Sequence, residues 1–217
     1  MTKRLERIFS EIPACKSFAD VGCDHGFIAE KMLISGKCNH VTISDISEPS
    51  LQKAKKLLYP FIQKGMVTAI CTDGLKGVDC ATEAVLIAGM GGEEIIKILH
   101  ESPFLPSILV LQPMKNVDKV RKELFNLGYS INKDYLFYDK KYYNLLVCRL
   151  GEKQEPYSDK EIIFGRDNLR QRSDDFLLYL TREIAIMEGC VTLIESPSEL
   201  EAVSQRIKLF KEVLNGN

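Results

Sequence analysis

Between residues 17 and 118, short runs of β-branched and apolar residues alternate with longer amphipathic stretches. This alternation is typical of a parallel sheet flanked by helices. The pattern predicts five strands, at 17–22, 40–45, 67–72, 84–89 and 108–112. It predicts helices between them, near 26–35, 49–64, 91–100 and 116–127.

The pattern changes after residue 128. Segments 129–139 and 142–151 are two consecutive strand-like runs joined by a short polar turn, so they should pair antiparallel at the end of the sheet. Five alternating units closed by a hairpin are typical of a Rossmann-like class I methyltransferase sheet. Nicotinamide-binding Rossmann domains normally finish with another parallel strand. The predicted fold class is therefore α/β, with a mostly parallel sheet and a C-terminal antiparallel hairpin.

Beyond a polar linker at 152–159, apolar residues recur at steps of three or four, which places them on one helical face. The first stripe consists of Phe176, Leu180, Ile184, Met187, Val191 and Ile194. The second consists of Leu200, Val203, Ile207, Phe210 and Leu214. Between them, the segment 196–199 supplies an N-cap serine, a first-turn proline and a capping-box glutamate.

Two helices with a short connection should form an antiparallel hairpin. We therefore expect a Rossmann-like domain at 1–152 and a coiled-coil-like helical domain at 153–217. Two interpretations of the hairpin remain open at this point: it packs against the sheet, or it protrudes as an arm that helps to hold a large substrate.

Composition narrows the class of protein. The chain has 217 residues, a formal charge of −1 and seven cysteines without a C-x-x-C pair, and no window resembles a signal peptide or a membrane span. We expect a cytoplasmic monomer with reduced thiols and no metal site or membrane contact. The net charge leaves RNA open as a partner, because a local basic surface suffices to neutralise phosphates.

The first predicted strand leads into the loop F-A-D-V-G-C-D-H-G at 18–26. In a doubly wound sheet, such a loop lies where a nucleotide-like cofactor binds. Gly22 and Gly26 allow a tight turn, but Asp24 stands where a pyrophosphate-binding loop has its second glycine, and Asp20 precedes the turn. Two carboxylates repel a diphosphate but suit the methionine end and sulfonium of S-adenosylmethionine.

Two further acids end the next predicted strands. Asp45 follows the glycine turn by about 20 residues, where an acid can accept both ribose hydroxyl hydrogens, and Asp73 is placed for the adenine amine. The alternative for each acid is a turn or helix-capping role. The fourth strand ends in A-G-M-G-G at 88–92, which permits close approach of the backbone to a ligand.

Together, D-V-G-C-D-H-G, T-D-G-L, I-A-G-M-G-G and L-Q-P resemble the bacterial tRNA adenine-22 N1-methyltransferases, the TrmK family, over the whole chain. The resemblance implies methyl transfer from S-adenosyl-L-methionine to N1 of an adenine in tRNA, with S-adenosylhomocysteine released. It implies cofactor contacts from Asp20, Gly22, Cys23, Asp24, His25, Gly26, Asp45, Ile46, Asp73, Gly74, Leu75, Ala88, Gly89 and Met90.

The chain departs from the family pattern in three places. Cys23 replaces the usual serine, F-I-A at 27–29 replaces Y-L-P, and Met114 follows L-Q-P where the family has asparagine, so that Asn116 is displaced by two positions. The departure at Met114 bears on two properties of the enzyme: the efficiency of the reaction and the identity of the base that is methylated.

The N1 atom of adenine carries an in-plane lone pair, so the reaction needs positioning rather than prior deprotonation. Asp24 is the candidate to stabilise the charge that develops on the ring or to accept a proton, with His25 orienting it or stacking near the base. The alternative is that both shape the methionine pocket. Phe27, Met90 and Met114 could contact a flipped base, or could simply be core residues.

Basic residues form two candidate surfaces for tRNA phosphates, with ordinary solvated charge as the alternative for each. They are Lys115, Lys119, Arg121 and Lys122, and then Arg166, Arg170 and Arg172. Two other functions remain open: a methyltransferase acting on another RNA, a small molecule or a protein, and a non-catalytic RNA-binding protein of the same fold.

Overall fold

A seven-stranded sheet forms the centre of the protein. The computed structural model describes residues 1–216, and its strands lie in the order β3-β2-β1-β4-β5-β7-β6. The strands are β1 Ser17–Val21, β2 His40–Asp45, β3 Val67–Cys71, β4 Ala84–Met90, β5 Ile108–Pro113, β6 Tyr129–Asp139 and β7 Lys141–Leu150. β1 to β5 pair in parallel, whereas β7 is antiparallel to both β5 and β6, which confirms the predicted fold class.

Helices cover both faces of the sheet and continue beyond its last strand. They are α1 Lys3–Glu11, α2 Phe27–Ile34, α3 Glu48–Ile62, α4 Gly92–His100, α5 Val117–Asn126, α6 Asp159–Phe164, α7 Arg166–Gln171, α8 Asp174–Val191 and α9 Pro197–Asn215. The predicted helices at 26–35, 49–64, 91–100 and 116–127 match α2 to α5 within two residues.

The core has two layers because the central strands are buried on both faces, as parallel strands normally are. Leu86 and Val110 face the cluster that α1, α2 and α3 cover, while their neighbours Ile87 and Leu109 face the cluster under α4 and α5. This alternation along each strand fixes the register, because a shift of one residue would exchange the two faces.

The C-terminal helices have a hydrophobic cluster of their own. Phe176, Leu180 and Ile184 of α8 pack with Phe210 of α9 and with Phe164 of α6. The predicted helical hairpin is therefore present, although α8 ends at Val191 and Ile194 lies beyond it. The Ser196 hydroxyl accepts a hydrogen bond from the Glu199 backbone amide at the start of α9, as the sequence indicates. A domain boundary after residue 152 stays a prediction.

Three helices were not predicted. α1 carries Leu5, Ile8, Phe9 and Ile12 at helical spacing after the N-cap Thr2, a recognisable signal. α6 begins at Asp159, inside the segment 152–159 that the sequence predicts as a polar linker, and α7 comes directly after it. The last two residues of that segment in fact open α6 with a complete capping box.

Arg121 and Asp134 form a buried ion pair between α5 and β6. Both side chains are at most 1% exposed, and the Arg121 Nε and Nη2 atoms lie 2.8 Å from the two Asp134 oxygens. Arg121 Nη1 also donates to the carbonyls of Ile162 and Ile163 in α6. The Gly165 backbone lies directly over the pair, where a Cβ atom would come within 2.8 Å of Asp134. The pair therefore fixes the start of the helical segment against the sheet.

The prediction that Arg121 contacts RNA phosphates is wrong for this reason. The Arg121 side chain is at most 1% exposed and donates four hydrogen bonds within the protein, so an external phosphate cannot reach it.

Three further features of residues 1–216 concern membrane-spanning helices, metal-binding groups and cysteines. Within that range, no helix is both long and apolar enough to cross a membrane, and no group of three or more His, Cys, Asp or Glu side chains is arranged to hold a metal ion. All seven cysteines are free thiols.

Removing one partner of the buried pair should be far more damaging than removing both. Arg121→Ala leaves the Asp134 carboxylate enclosed and unpaired, so the free energy of unfolding should fall by about 3–5 kcal/mol. The double variant Arg121→Met/Asp134→Leu should lose much less. Chemical denaturation measures both, and equal losses in the single and double variants would contradict this description of the pair.

Candidate active site

A cavity of about 450 Å³ opens at the carboxyl ends of β1 and β4. β1 lies between β2 and β4, so the sheet spreads in opposite directions from this point, and ligands of such folds bind in the crevice that results. Nine of the predicted cofactor-binding residues line the cavity: Asp20, Gly22, Cys23, Asp24, His25, Asp45, Ala88, Gly89 and Met90.

The loop after β1 is held against the end of β2. The backbone amides of Gly22 and Cys23 donate to the Ser44 carbonyl at 2.8 and 3.1 Å, and the Asp24 amide donates to the Asp45 carboxylate at 3.2 Å. The other Asp45 oxygen accepts from the Ser47 amide at 2.8 Å. Asp45 thus has a structural role in shaping the loop, which is the turn role that the sequence left open, and it also lines the cavity.

At two glycines in the cavity wall, the backbone lies close to side chains from other parts of the chain. Gly22 has φ +71°, and a Cβ atom there would lie 2.2 Å from the Met90 methyl carbon. Gly89 has φ +83°, and a Cβ atom there would lie 2.9 Å from the Arg4 guanidinium. Both positions combine a left-handed backbone with a site where side chains converge, so larger residues would fill the space.

Asp20 is a buried acid at the base of the cavity. It is 6% exposed, and burial raises its pKa to about 7, with the nearby Asp45 carboxylate acting in the same direction and a hydrogen bond from the Ala29 backbone opposing it. A cationic ligand group beside Asp20 would favour its charged form. The cavity therefore suits a positively charged ligand and disfavours a diphosphate.

Asp24 and His25 stand together at the mouth of the cavity. One Asp24 oxygen lies 2.6 Å from His25 Nδ1, and the other lies 3.7 Å from the Lys53 ammonium. Asp24 has φ +45°, a conformation that aspartate tolerates better than most residues. The His25 ring stacks on Phe27, with ring centroids 5.4 Å apart and planes 2° from parallel. The carboxylate is thus presented to solvent beside a flat aromatic surface.

Arg4 of α1 is a cavity residue that the sequence did not indicate. Its Nε donates to the buried Gln112 side chain at 2.8 Å, and its guanidinium carbon lies 5.1 Å from the centre of the Tyr143 ring. Burial lowers the pKa of Arg4, while Tyr143 and Asp139 oppose that shift. Arg4 is a cation among carboxylates, so it could neutralise an anionic group such as a carboxylate of the ligand. No local pattern around Arg4 signals this, because its position depends on how α1 packs.

Five predicted cofactor contacts lie outside the lining of this cavity: Gly26, Ile46, Asp73, Gly74 and Leu75. Asp73 follows β3, which pairs with β2 so that Cys71 lies opposite Asp45, and its carboxylate is 3.2 Å from Lys97. Ile46 is 73% exposed at the end of β2. Their contacts with a cofactor stay predictions.

The departure at Met114 also has a structural context. Met114 is 40% exposed, its amide donates to the Met90 carbonyl, and its sulfur lies 3.3 Å from the Gln112 amide nitrogen. The displaced Asn116 is the residue before α5 and has φ +54°, which asparagine adopts readily. Met114 therefore lies beside Met90, a residue of the cavity lining, at the position where the family pattern has asparagine.

The predicted basic surfaces divide into engaged and exposed residues. Arg166 is bound to Glu161 at 2.7 Å, and its side chain is 12% exposed, while Arg172 donates to the carbonyls of Val213 and Leu214 at the end of α9. These two arginines stabilise the helical segment. The exposed predicted cations are Lys115, Lys119, Lys122 and Arg170.

A family model described as a methyltransferase domain matches residues 1–146. The chain belongs to this methyltransferase family. The predicted resemblance to tRNA adenine-22 N1-methyltransferases is also confirmed, because the tRNA (adenine(22)-N(1))-methyltransferase of Bacillus subtilis is 24% identical to this methyltransferase over 99% of the chain and 97% of its own length.

Solved structures agree with this relationship. Streptococcus pneumoniae Sp1610, in complex with S-adenosyl-L-methionine, is 25% identical to this methyltransferase with a TM-score of 0.89, covering 99% of both chains. TrmK of M. capricolum, in complex with S-adenosyl-homocysteine, is 21% identical with a TM-score of 0.91 and covers 100% of this chain and 98% of its own. The second structure supports the fold alone.

The buried Asp20 should make the stability of the ligand-free methyltransferase depend on pH. Its folded pKa of about 7 lies above the ordinary value of 3.8, so the protonated acid favours folding at low pH, and this contribution is lost as pH rises through 7. Asp20→Asn cannot ionise, so its melting temperature should exceed that of the wild type by several degrees at pH 8 and by much less at pH 4. Thermal denaturation across this range measures the difference, and a constant difference would contradict it.

Proposed function

We propose that this methyltransferase transfers a methyl group from S-adenosyl-L-methionine to N1 of adenine 22 in tRNA. The observation that carries the proposal is the cavity at the β1–β4 crevice, whose acidic lining and glycine turns suit a sulfonium cofactor. The similarity to the Bacillus subtilis enzyme over almost the full length of both chains supports the substrate.

The cavity residues fit this cofactor by their chemistry. Asp20 supplies a buried carboxylate for the positive methionine end, Arg4 supplies a cation for the methionine carboxylate, and Gly22 leaves room for the Met90 side chain in the cavity wall. Asp45 would face the ribose, and the adenine would extend toward the ends of β2 and β3, where the remaining proposed contacts lie: Ile46, Asp73, Gly74 and Leu75.

When bound, S-adenosylmethionine supplies an electrophilic methyl group on its sulfonium. The protein's task is to place adenine N1 in line with that group, because the N1 lone pair is available without deprotonation. Asp24 would stabilise the positive charge that develops on the adenine ring, and His25, 2.6 Å away, would hold the Asp24 carboxylate in place. The parallel rings of His25 and Phe27 provide a flat surface for a flipped base.

Labelled cofactor and unmodified tRNA transcripts test the reaction. Label should enter a transcript with adenosine at position 22, disappear from the product after ribonuclease treatment, and be recovered as 1-methyladenosine on nucleoside analysis. A matched transcript with guanosine at position 22 should accept no label.

Other outcomes would identify the alternative functions. Label that survives ribonuclease treatment would indicate a small-molecule or protein substrate. Failure to bind S-adenosylmethionine in calorimetry, together with RNA binding, would indicate a non-catalytic RNA-binding protein.

Asp24→Asn tests the role of the carboxylate in the reaction. Asparagine tolerates the left-handed backbone at this position, so the loop should keep its shape. We expect kcat to fall about 100-fold, while the cofactor dissociation constant changes by less than about threefold. Lys53→Gln, which removes the neighbouring ammonium and leaves the carboxylate, is the control and should change kcat little. An Asp24→Asn enzyme with wild-type kcat would remove Asp24 from the chemistry.

A further inference from the structure

Three tyrosines gather where the β6–β7 hairpin meets α8. The ring centroids of Tyr138 and Tyr142 are 5.1 Å apart, and those of Tyr142 and Tyr179 are 5.3 Å apart in an edge-to-face arrangement. Tyr138 is 42% exposed, and Tyr142 is half-buried. Neither belongs to the three hydrophobic clusters of the described chain, so packing of the core does not account for these two aromatic surfaces.

The hairpin that carries Tyr138 and Tyr142 extends toward the edge of the sheet at which the active-site cavity opens. β7 runs antiparallel to β5, with Leu146 opposite Leu111, so the hairpin tip extends past the carboxyl end of β5. Asp139 in the tip accepts a hydrogen bond from the Arg4 backbone amide at 2.8 Å, and the Arg4 side chain lines the cavity. The hairpin that carries two of the tyrosines is therefore attached to α1, a helix of the cavity wall.

A groove of about 440 Å³ lies between the sheet and the helical segment. Tyr142 and Tyr179 line it together with Met114 from the β5–α5 loop and Arg206 from α9. The Met114 amide is hydrogen-bonded at 2.8 Å to the carbonyl of Met90, which lines the cofactor cavity. One hydrogen bond thus connects the loop that lines the groove with the strand that lines the cofactor cavity.

Cations outnumber acids along this groove once the internal pairs are counted. Arg121 is neutralised by Asp134, and Lys119 lies 2.7 Å from Glu93, an exposed pair that an external phosphate could replace. Asp118 is the acidic residue of the lining. The remaining cations of the lining are Lys115 and Arg206.

Exposed aromatic faces combined with cations are the means by which proteins bind unpaired nucleotides, because bases stack on the rings while phosphates contact the charges. We propose that this groove binds the RNA nucleotides next to the methylated adenosine, with a base stacked on Tyr142 or Tyr138 and the backbone held by Lys115 and Arg206. The inference rests on the proposed function, and it assigns the substrate-positioning surface of that site.

Two variants of Tyr142 separate stacking from packing. Tyr142→Phe keeps the ring, so the dissociation constant for an unmodified tRNA transcript, measured by fluorescence anisotropy, should stay within about twofold of the wild type. Tyr142→Leu keeps apolar bulk but removes the ring, so RNA affinity and kcat/KM for RNA should fall about 5- to 100-fold. S-adenosylmethionine affinity, measured by calorimetry, should be unchanged in both, which also shows that the variants are folded.

A matched pair on α9 tests the charge contribution. Arg206 lines the groove, whereas Lys208 is exposed two residues further along the helix and does not line it. Arg206→Gln should weaken RNA binding and reduce the slope of log affinity against log salt by about 1, and Lys208→Gln should change neither.

The proposal is overturned if Tyr142→Leu binds the transcript as tightly as the wild type, or if the two α9 variants behave alike. It is also overturned if Tyr142→Leu reduces the amount of other proteins that the enzyme binds from an extract but leaves its affinity for RNA unchanged. A wild-type protein that binds RNA through this groove without methylating it would instead contradict the proposed function, because the anisotropy measurement does not depend on catalysis.

Discussion

The position of β1 between β2 and β4 is the constraint on which the rest of the structure depends. The chain after β1 turns to one side of the sheet and the chain after β4 turns to the other, so a crevice is left between the two loops at the carboxyl edge. The Gly22 turn, the acids Asp20 and Asp45, and the glycines after β4 all lie at this edge because their strands end there. The strand order therefore determines where the proposed cofactor-binding residues come together.

Elements outside the parallel sheet complete this edge. α1 brings Arg4 into the crevice, and the antiparallel β7 lets the hairpin tip project past β5 and contact α1. The buried Arg121–Asp134 pair fixes the helical segment beside the same edge and so defines the far wall of the groove. The start of the helical hairpin contacts the sheet, where Asp175 of α8 accepts a hydrogen bond from the Tyr138 backbone amide of β6, and its role in holding a large substrate stays a prediction.

The sequence predicts the sheet well, because strand length, helix spacing and the closing hairpin are local signals. The sequence also predicts that Asp20, Asp24 and Asp45 lie in one site, because the carboxyl ends of parallel strands share one edge of the sheet. It does not predict Arg4, whose contact with Gln112 joins residues 108 positions apart. Charge spacing likewise cannot show that Arg121 is enclosed, because its partner Asp134 and the α6 carbonyls come from other elements. Ser158 and Glu161 are a capping-box pattern that marks the start of α6, but the polar composition of the segment before it favours a linker.

The most direct test of this account is a crystal structure of the protein with S-adenosylhomocysteine. The account predicts that the ligand lies in the β1–β4 crevice, with its amino acid end beside Asp20 and Arg4 and its ribose beside Asp45. A ligand bound elsewhere, or bound in the crevice with its amino acid end directed away from Asp20 and Arg4, would contradict the central claim that these side chains bind the amino acid end of the cofactor.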